Sequence, residues 1–554
     1  MKTTVFLMVL LACLLAGPAA AGDWHINFRL NNDATTQLQN EEQVVVNPNN
    51  PNNVVAVWRD FRLGYRECAF ATTFDQWRTV ARETLFYAHN GTQYTLDSDP
   101  GLTVDANGNF YAVILSFIST SQPNALFVKK STDGGRTWGP NVTVVDNVSG
   151  VFEDKELIAC DRTSSPYRGY VYVPWARFGS GVRVMMCRST NGGASFQAPV
   201  AVSAPGSLQW PVPAVGPNGE LYIAWDEYSA MNFNKSTDGG ATFTGVRTIQ
   251  NVRFGYGGIN GGIGTFSYPV IDVDITNSPR RGWVYCVYED DEQGSSLDSL
   301  DMYFTRSTDG GTTWSSPLRI NDDTLGNRRD QFHPWMTVDP QGTIHACWLD
   351  RRLDPSNMMM DCYYTRSTDG GATWLRNERV STVSSDPRLF IKEEERQWKP
   401  GMPLADALPA EHLGEYIGLA AADNLHVYPV WTDTRNGNQD AFGARPDSLS
   451  GVWEEVGPSR REPERPGLTA FPNPTRKSCE IRFGLSSRTC SSLTIYNVAG
   501  RVVKSFPTPY TLHTTHFVFW DGRDDSGSEV PSGVYLIRAE DGKGRATGRV
   551  VVAR

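Results

Sequence analysis

An octapeptide, Ser-Thr-Asp-Gly-Gly-x-Thr-Trp with small variations, occurs five times, at residues 131–138, 189–196, 236–243, 307–314 and 367–374. A worn copy is read at 72–77. The residue types are those of a hairpin turn. The aspartate accepts hydrogen bonds from nearby backbone N–H groups, Gly-Gly supplies positive φ, and the closing aromatic packs back between strands. One turn repeated this often restricts the chain to an array of small units, none able to bury a core alone.

A second element recurs seven times, at 44–58, 102–115, 157–175, 212–225, 270–288, 336–348 and 417–431. Each copy is a short strand, a turn rich in Asn, Pro, Gly or Asp, and a second strand ending near Trp or Tyr. A further strand follows each octapeptide, at 142–145, 200–202, 246–249, 318–320 and 379–381. Each repeat therefore reads as four antiparallel strands, A to D, with the octapeptide at the C–D turn. The expected fold class is all-β: a seven-bladed β-propeller, with six blades as the alternative count. The last unit, 414–445, lacks an octapeptide and a D strand. Phe28-Arg29-Leu30-Asn31-Asn32-Asp33 reads like the D strand Leu318-Arg319-Ile320-Asn321-Asp322-Asp323. The N-terminal strand is therefore expected to complete the last blade and close the ring.

The octapeptides resemble the Asp-boxes, or bacterial neuraminidase repeats, of the sialidase superfamily, and the resemblance covers about residues 22–446. It implies a propeller fold and a glycan-related activity. Sialidases grip a substrate carboxylate with three arginines and use a tyrosine nucleophile partnered by glutamate, with an aspartate as acid/base. Carried onto this chain, Arg59, Arg352 and Arg435 would be the triad and Tyr416 with Glu415 the nucleophile pair. The chain departs from that pattern in lacking Arg-Ile-Pro, and adjacent residues of a strand face opposite ways.

Topology predicts where chemistry collects. The octapeptides decorate one face, so their aspartates are structural. B strands end at the opposite face in Trp58-Arg59-Asp60-Phe61-Arg62, Trp175-Ala176-Arg177, Trp225-Asp226, Tyr288-Glu289-Asp290, Trp348-Leu349-Asp350-Arg351-Arg352 and Trp431-Thr432-Asp433-Thr434-Arg435. The A strands begin there with Asp99, Asp154-Lys155, Trp210, Tyr268, His333, Trp335 and Glu415-Tyr416. Candidate ligand-binding residues are Arg59, Arg62, Arg177, Asp226, Glu289, Asp290, His333, Arg351, Arg352 and Arg435. Candidate catalytic residues are Asp60, Asp350, Asp433 and Tyr416. Arg forks suit carboxylate or sulfate, and aromatic rings suit sugar faces. The alternative is that the recurrent Trp-x-Asp-x-Arg pattern is a structural ion pair between neighbouring blades. The Gly-rich run 255–264 reads as a flexible loop beside this face, and 381–413 as a long insertion.

Composition narrows the partners. With 51 basic and 61 acidic residues the net charge is −10, which argues against a nucleic-acid partner. The start of the chain, Met1-Lys2 followed by an apolar run and Ala19-Ala20-Ala21, reads as a signal peptide over 1–21. Export makes disulfides permissible. Cys347 with Cys362 and Cys479 with Cys490 are candidate pairs, and Cys68, Cys160, Cys187 and Cys286 read equally well as buried thiols. No metal site and no cofactor is expected. Residues 447–466, rich in Pro, Arg and Glu, read as a linker. Residues 467–554 carry Phe471-Pro472-Asn473-Pro474, Phe519-Trp520-Asp521-Gly522-Arg523 and Ser532-Gly533-Val534-Tyr535. These resemble the immunoglobulin-like domain of flagellar hook-capping proteins and the sorting domain of type IX secretion. The resemblance implies a small β-sandwich serving export or surface attachment.

The expectation is a secreted or cell-surface propeller, with no membrane span after signal removal, that recognises a glycan or glycoprotein. Acidic glycans fit the arginines best. The alternatives are an exo-sialidase or other glycoside hydrolase, and a non-enzymatic adhesion or protein-binding scaffold.

Overall fold

The computed structural model describes residues 24, 26–89, 93–119, 123–291, 300–390, 413–446, 468–471, 479–483, 489–490, 492–498, 500–506, 510–511, 517–540 and 545–553. The signal segment and the linker read from sequence, His25, and most of the 381–413 insertion lie outside them. The chain divides into two compact units, residues 1–452 and 453–554. Among the described residues the only helical element is a single turn, Pro387–Phe390, and no helix is long and apolar enough to cross a membrane.

Among the described residues the first unit holds, besides one two-stranded hairpin, seven antiparallel sheets of four or five strands. Their innermost strands begin at Gln39–Asn47, Leu96–Val104, Phe152–Asp154 with Ala159–Cys160, Gln209–Val215, Val270–Val273, Gln331–Val338 and Gly418–Asp423. Their second strands are Asn50–Asp60, Phe110–Phe117, Val171–Phe178, Leu221–Asp226, Val284–Asp290, Ile344–Asp350 and His426–Asp433. In chain order each sheet packs on the next near its innermost strand, and Gln39–Asn47 also packs on Gly418–Asp423. The second strands read as near-continuous apolar runs because both of their faces are covered. Trp58, Trp175, Trp225, Trp348 and Trp431 are all fully buried.

The seventh sheet takes its outermost strand from the N-terminus, where Ile26–Arg29 pairs antiparallel with Asp440–Arg445. Side chains repeat the likeness read in the sequence. Arg29 Nη2 lies 2.8 Å from Asp440 Oδ1, and Asn31 donates to Asp440 at 2.9 Å. In the fifth sheet Arg319 and Asn321 make the same two contacts to Asp301, both at 2.7 Å.

Each octapeptide folds one way. In the first, Ser131 Oγ donates to Asp133 Oδ1, Gly135 N donates to Ser131 Oγ, and Thr137 donates to Asp133 through both its backbone N–H and its hydroxyl. The glycines are also wedges between sheets. A Cβ on Gly311 would stand 2.5 Å from Phe233 of the preceding sheet, and one on Gly371 2.1 Å from Phe304. The same turn occurs in the first sheet, one residue later than the sequence reading placed it. Thr73 and Asp75 take the roles of Ser131 and Asp133. Gln76 and Trp77 stand where the glycines do, with φ of 62° and 59°. The shift arises because two non-glycine residues occupy the left-handed positions and hide the turn.

Cys68, Cys160, Cys187, Cys286, Cys347 and Cys362 are buried free thiols, so the Cys347–Cys362 bridge is not formed. The side chains of Cys479 and Cys490 lie outside the described residues. The second unit is a small all-β body. A four-stranded sheet runs Val502–Phe506, Ser492–Asn497, Gly533–Glu540, Arg545–Val552, and a three-stranded one runs Leu468–Phe471, Cys479–Phe483, Phe517–Trp520. Its core contains Ile481, Leu493, Ile495, Trp520, Ile537 and Val550.

Candidate functional site

The innermost strands share one irregularity. Register shifts fall at Asn40/Gln43, Ser98/Gly101, Gln209/Val212 and Phe332/Trp335, each opposite the buried aromatic or isoleucine of the second strand. Glu41, Asp99, Trp210 and His333 open these bulges with φ of 60°, 48°, 60° and 50°. In the third sheet Lys155, at φ 56°, sits between the two innermost segments. By register the corresponding residues of the fifth and seventh sheets are Tyr268 and Tyr416, two positions before Val270 and Gly418. Left-handed backbone at a non-glycine residue costs about 1 kcal/mol or more each time. A scaffold role would favour one residue type throughout. Here one position per sheet carries Glu, Asp, Lys, Trp, Tyr, His and Tyr.

Six of these seven side chains are linked, Glu41 through Arg59. Lys155 Nζ lies 3.0 Å from Asp99 Oδ2, also contacts Glu415 Oε2, and stands 4.5 Å from the centre of the Trp210 ring. Trp210 stacks on Tyr268 at 5.3 Å and meets Tyr416 edge-on at 6.2 Å. Arg59 Nη1 lies 3.2 Å from Glu41 Oε1 and 3.9 Å from Asp99 Oδ1. Two positions beyond the bulges, Gln43, Leu157, Val212, Val270 and Trp335 line a cavity to which the innermost strands of all seven sheets contribute. The polar cluster therefore sits at one end of that cavity.

The electrostatics are uneven. Burial lifts the Glu41 carboxyl to about 8 despite Arg59, with Asp99 adding to the rise. Asp154 rises to about 7, again mainly from burial. Asp99 is equally buried, but Lys155 and Arg59 outweigh burial and hold it well below the ordinary aspartate range. Neutral and ionised carboxyl groups thus share one guanidinium, the pattern that divides acid from base roles. Burial, with Glu41 and Asp99 nearby, keeps the Tyr416 hydroxyl protonated. That hydroxyl, Glu41 Oε2 and Trp210 Nε1 are buried without hydrogen-bond partners among the described residues. Glu415, adjacent to Tyr416, is turned to Lys155 instead.

The Gly-rich run is not an irregular loop. It forms a hairpin, Tyr256–Ile259 paired with Ile263–Phe266. The hairpin is tied down at its end and base. Arg351 Nη2 donates to Asn260 O at 2.6 Å, Thr265 Oγ1 donates to Glu289, and His333 Nε2 lies 3.3 Å from Gly264 O. Asp290 accepts from the backbone N–H groups of Arg253 and Phe254. Hairpin aromatics extend the cluster outward: Tyr256 stacks on Phe266 at 4.5 Å, and Phe266 lies 5.1 Å from Trp210. Tyr256 is 57% exposed.

The remaining sequence candidates lie elsewhere. Asp60, Asp350 and Asp433 each accept from the indole N–H two residues before, at 2.9, 2.8 and 2.9 Å. Each also accepts from both the backbone N–H and the guanidinium two residues after. Trp-x-Asp-x-Arg is thus a clamp within one strand end. Arg62 and Arg435 reach on to Glu83 and Asn27 in the outer strands of their own sheets, and Arg352 crosses to Asp322 of the fifth sheet, an inter-sheet ion pair of the kind the sequence pattern suggests. The third sheet builds the clamp differently, with Glu153 of the innermost strand serving Trp175 and Arg177. Asp226 is buried, and burial lifts it to about 7. Arg59 and Tyr416 lie in the cluster; His333 holds the equivalent bulge but is turned to the hairpin at Gly264, and Arg352 and Arg435 pair elsewhere. Sequence reasoning omitted Glu41, Tyr256 and Phe266. Aromatics bracketing the Gly-rich run were the available signal for the last two.

A family model described as FlgD Ig-like domain matches residues 477–545. No curated protein matches in sequence. Among solved structures, the intramolecular trans-sialidase from Ruminococcus gnavus is 12% identical with TM-score 0.44, covering 62% of this chain and 96% of that one. The leech intramolecular trans-sialidase is 10% identical with TM-score 0.44, covering 64% and 71%. The GH93 alpha-L-arabinofuranosidase of Fusarium graminearum is 11% identical with TM-score 0.41, covering 58% and 92%.

Proposed function

We propose that this chain is an exported glycan-recognising protein, built as a seven-bladed propeller that its N-terminal strand closes, with an immunoglobulin-like module for surface attachment. The glycan site is the cluster at the bulged ends of the innermost strands. The observation that carries the reading is chemical variety at one equivalent position in every sheet, left-handed in five of the seven: a symmetric frame holds an asymmetric set of groups. In the ladder Tyr256, Phe266, Trp210, Tyr268 the last two rings are buried and support the stack, and the exposed Tyr256 ring at its end is the one that would cover a pyranose face. Arg59 and Lys155 supply cations for an acidic substituent. The resemblance of the octapeptides to Asp-boxes supports the same class of ligand.

A second reading, a glycoside hydrolase, is favoured by the split between neutral Glu41 and ionised Asp99 and by the unpartnered Tyr416 hydroxyl beside them. In it Glu41 is the acid, and Asp99 or Tyr416 the group that meets the anomeric carbon. A glycan array together with a panel of fluorogenic glycosides, sialosides included, separates the two. Retention without turnover supports recognition. Turnover lost in Glu41→Gln and Asp99→Asn supports hydrolysis. Neither retention nor turnover would refute the glycan assignment.

A further inference from the structure

Glu67, His89 and Asp97 converge where the first sheet meets the second. Glu67 begins the strand Glu67–Thr73 of the first sheet, Asp97 lies in the innermost strand of the second, and His89 lies in the chain between. Their ligand atoms, one imidazole nitrogen and two carboxylate oxygens, all lie within 4.8 Å of one another. His89 Nε2 is 3.0 Å from Glu67 Oε1. Glu67 is fully buried, and its second oxygen, Oε2, is buried without a hydrogen-bond partner. A buried carboxylate left half-satisfied is costly unless something binds there.

Asp97 is fixed in advance. The backbone N–H groups of Ala88 and His89 donate to it at 2.7 and 3.0 Å, and Ser116 Oγ donates at 2.6 Å. Outer contacts of this kind orient metal-binding carboxylates. Two buried carboxylates beside one imidazole also leave a deficit of positive charge that a divalent ion removes. The mixture of nitrogen and oxygen donors suits a zinc-class ion; calcium and magnesium prefer all-oxygen sites. The His89 side chain retains 15% exposure, which gives the site a route to water.

We propose that Glu67, His89 and Asp97 bind one divalent zinc-class ion that staples the first sheet to the second. Asp97 precedes Asp99 by two residues in the strand Leu96–Val104, so the ion also braces backbone that leads into the glycan cluster. No spacing in the sequence announces the site, because its three residues come from three separate segments.

The test uses the full-length protein, stripped with a chelator and then titrated with Zn2+ or Ca2+. Metal content is read by elemental analysis and stability by thermal unfolding. The proposal expects one zinc per chain and a Zn2+-dependent rise in Tm that Ca2+ does not reproduce. Both are lost in Glu67→Gln and in His89→Ala. Should His89→Ala fail to fold, the wild-type titration and Glu67→Gln decide. Absence of stoichiometric zinc and of any Tm rise in the wild type would overturn the proposal. So would an equal rise in the variants, which would mark capture by surface histidines.

Discussion

Lys155 Nζ and Asp99 Oδ2 lie 3.0 Å apart across two sheets, and both residues hold left-handed backbone. The contact ties a strained position in one sheet to its equivalent in the next, and Glu415 joins from the seventh. Replacing Lys155 by Met takes the nearest cation from two buried carboxylates and leaves Asp99 with Arg59 at 3.9 Å. We expect a loss of about 3 kcal/mol in urea unfolding, and partial recovery in Lys155→Met/Asp99→Asn, where one of those carboxylate charges is also removed.

Glu289 makes stability depend on pH. Burial, reinforced by Asp330 and Asp290, lifts its carboxyl from 4.5 to about 8, although Thr265 and the His333 N–H donate to it. The folded state therefore holds a proton that the unfolded chain has released. Stability from this group is present below pH 4.5 and is lost as pH rises to about 8. Glu289→Gln is expected to flatten the fall in unfolding free energy between pH 5 and 8 by about one proton equivalent. An unchanged slope contradicts the assignment.

Gly371 combines positive φ, 81°, with a site where a Cβ would meet Phe304 at 2.1 Å. Gly371→Ala should destabilise the first unit by about 2 kcal/mol or more, measured by denaturant titration. Alanine at Gly437, which has positive φ but open space around it, should cost only about 1 kcal/mol.

Asp440 anchors the N-terminal strand through Arg29 and Asn31. Asp440→Ala is expected to cost about 3 kcal/mol and to expose residues 26–33 to limited proteolysis. If that segment stays protected and Tm is unchanged, the N-terminal strand does not hold the unit together.

The sequence was most legible where geometry forces residue choice. The octapeptide announces its turn because two adjacent left-handed positions ask for Gly-Gly, and the hidden copy at Gln76-Trp77 shows what happens when they are filled otherwise. The N-terminal strand could be paired with the last sheet from Arg29 and Asn31 because Arg319 and Asn321 make the same contacts in the fifth sheet. The candidate site was only half visible. Charged B-strand ends stand out in the sequence, but Asp60, Asp350 and Asp433 are consumed by clamps with their own Trp and Arg neighbours. Glu41 was missed because a bulge re-aims its side chain, and alternation along a strand cannot foresee a bulge. Glu67, His89 and Asp97 meet only through the packing of two sheets.

The cluster running from Tyr256 to Glu41 is the proposed sugar site. Tyr256 is exposed and Glu41 is neutral near pH 7, so Tyr256→Ala and Glu41→Gln should fold as the wild type does. The direct measurement is a glycan-array comparison of wild type, these two variants and Asp350→Asn, whose aspartate belongs to a clamp. The wild type and Asp350→Asn should retain a defined set of glycans that both other variants lose. Binding that survives in Tyr256→Ala and Glu41→Gln, or no glycan bound by the wild type, would contradict it.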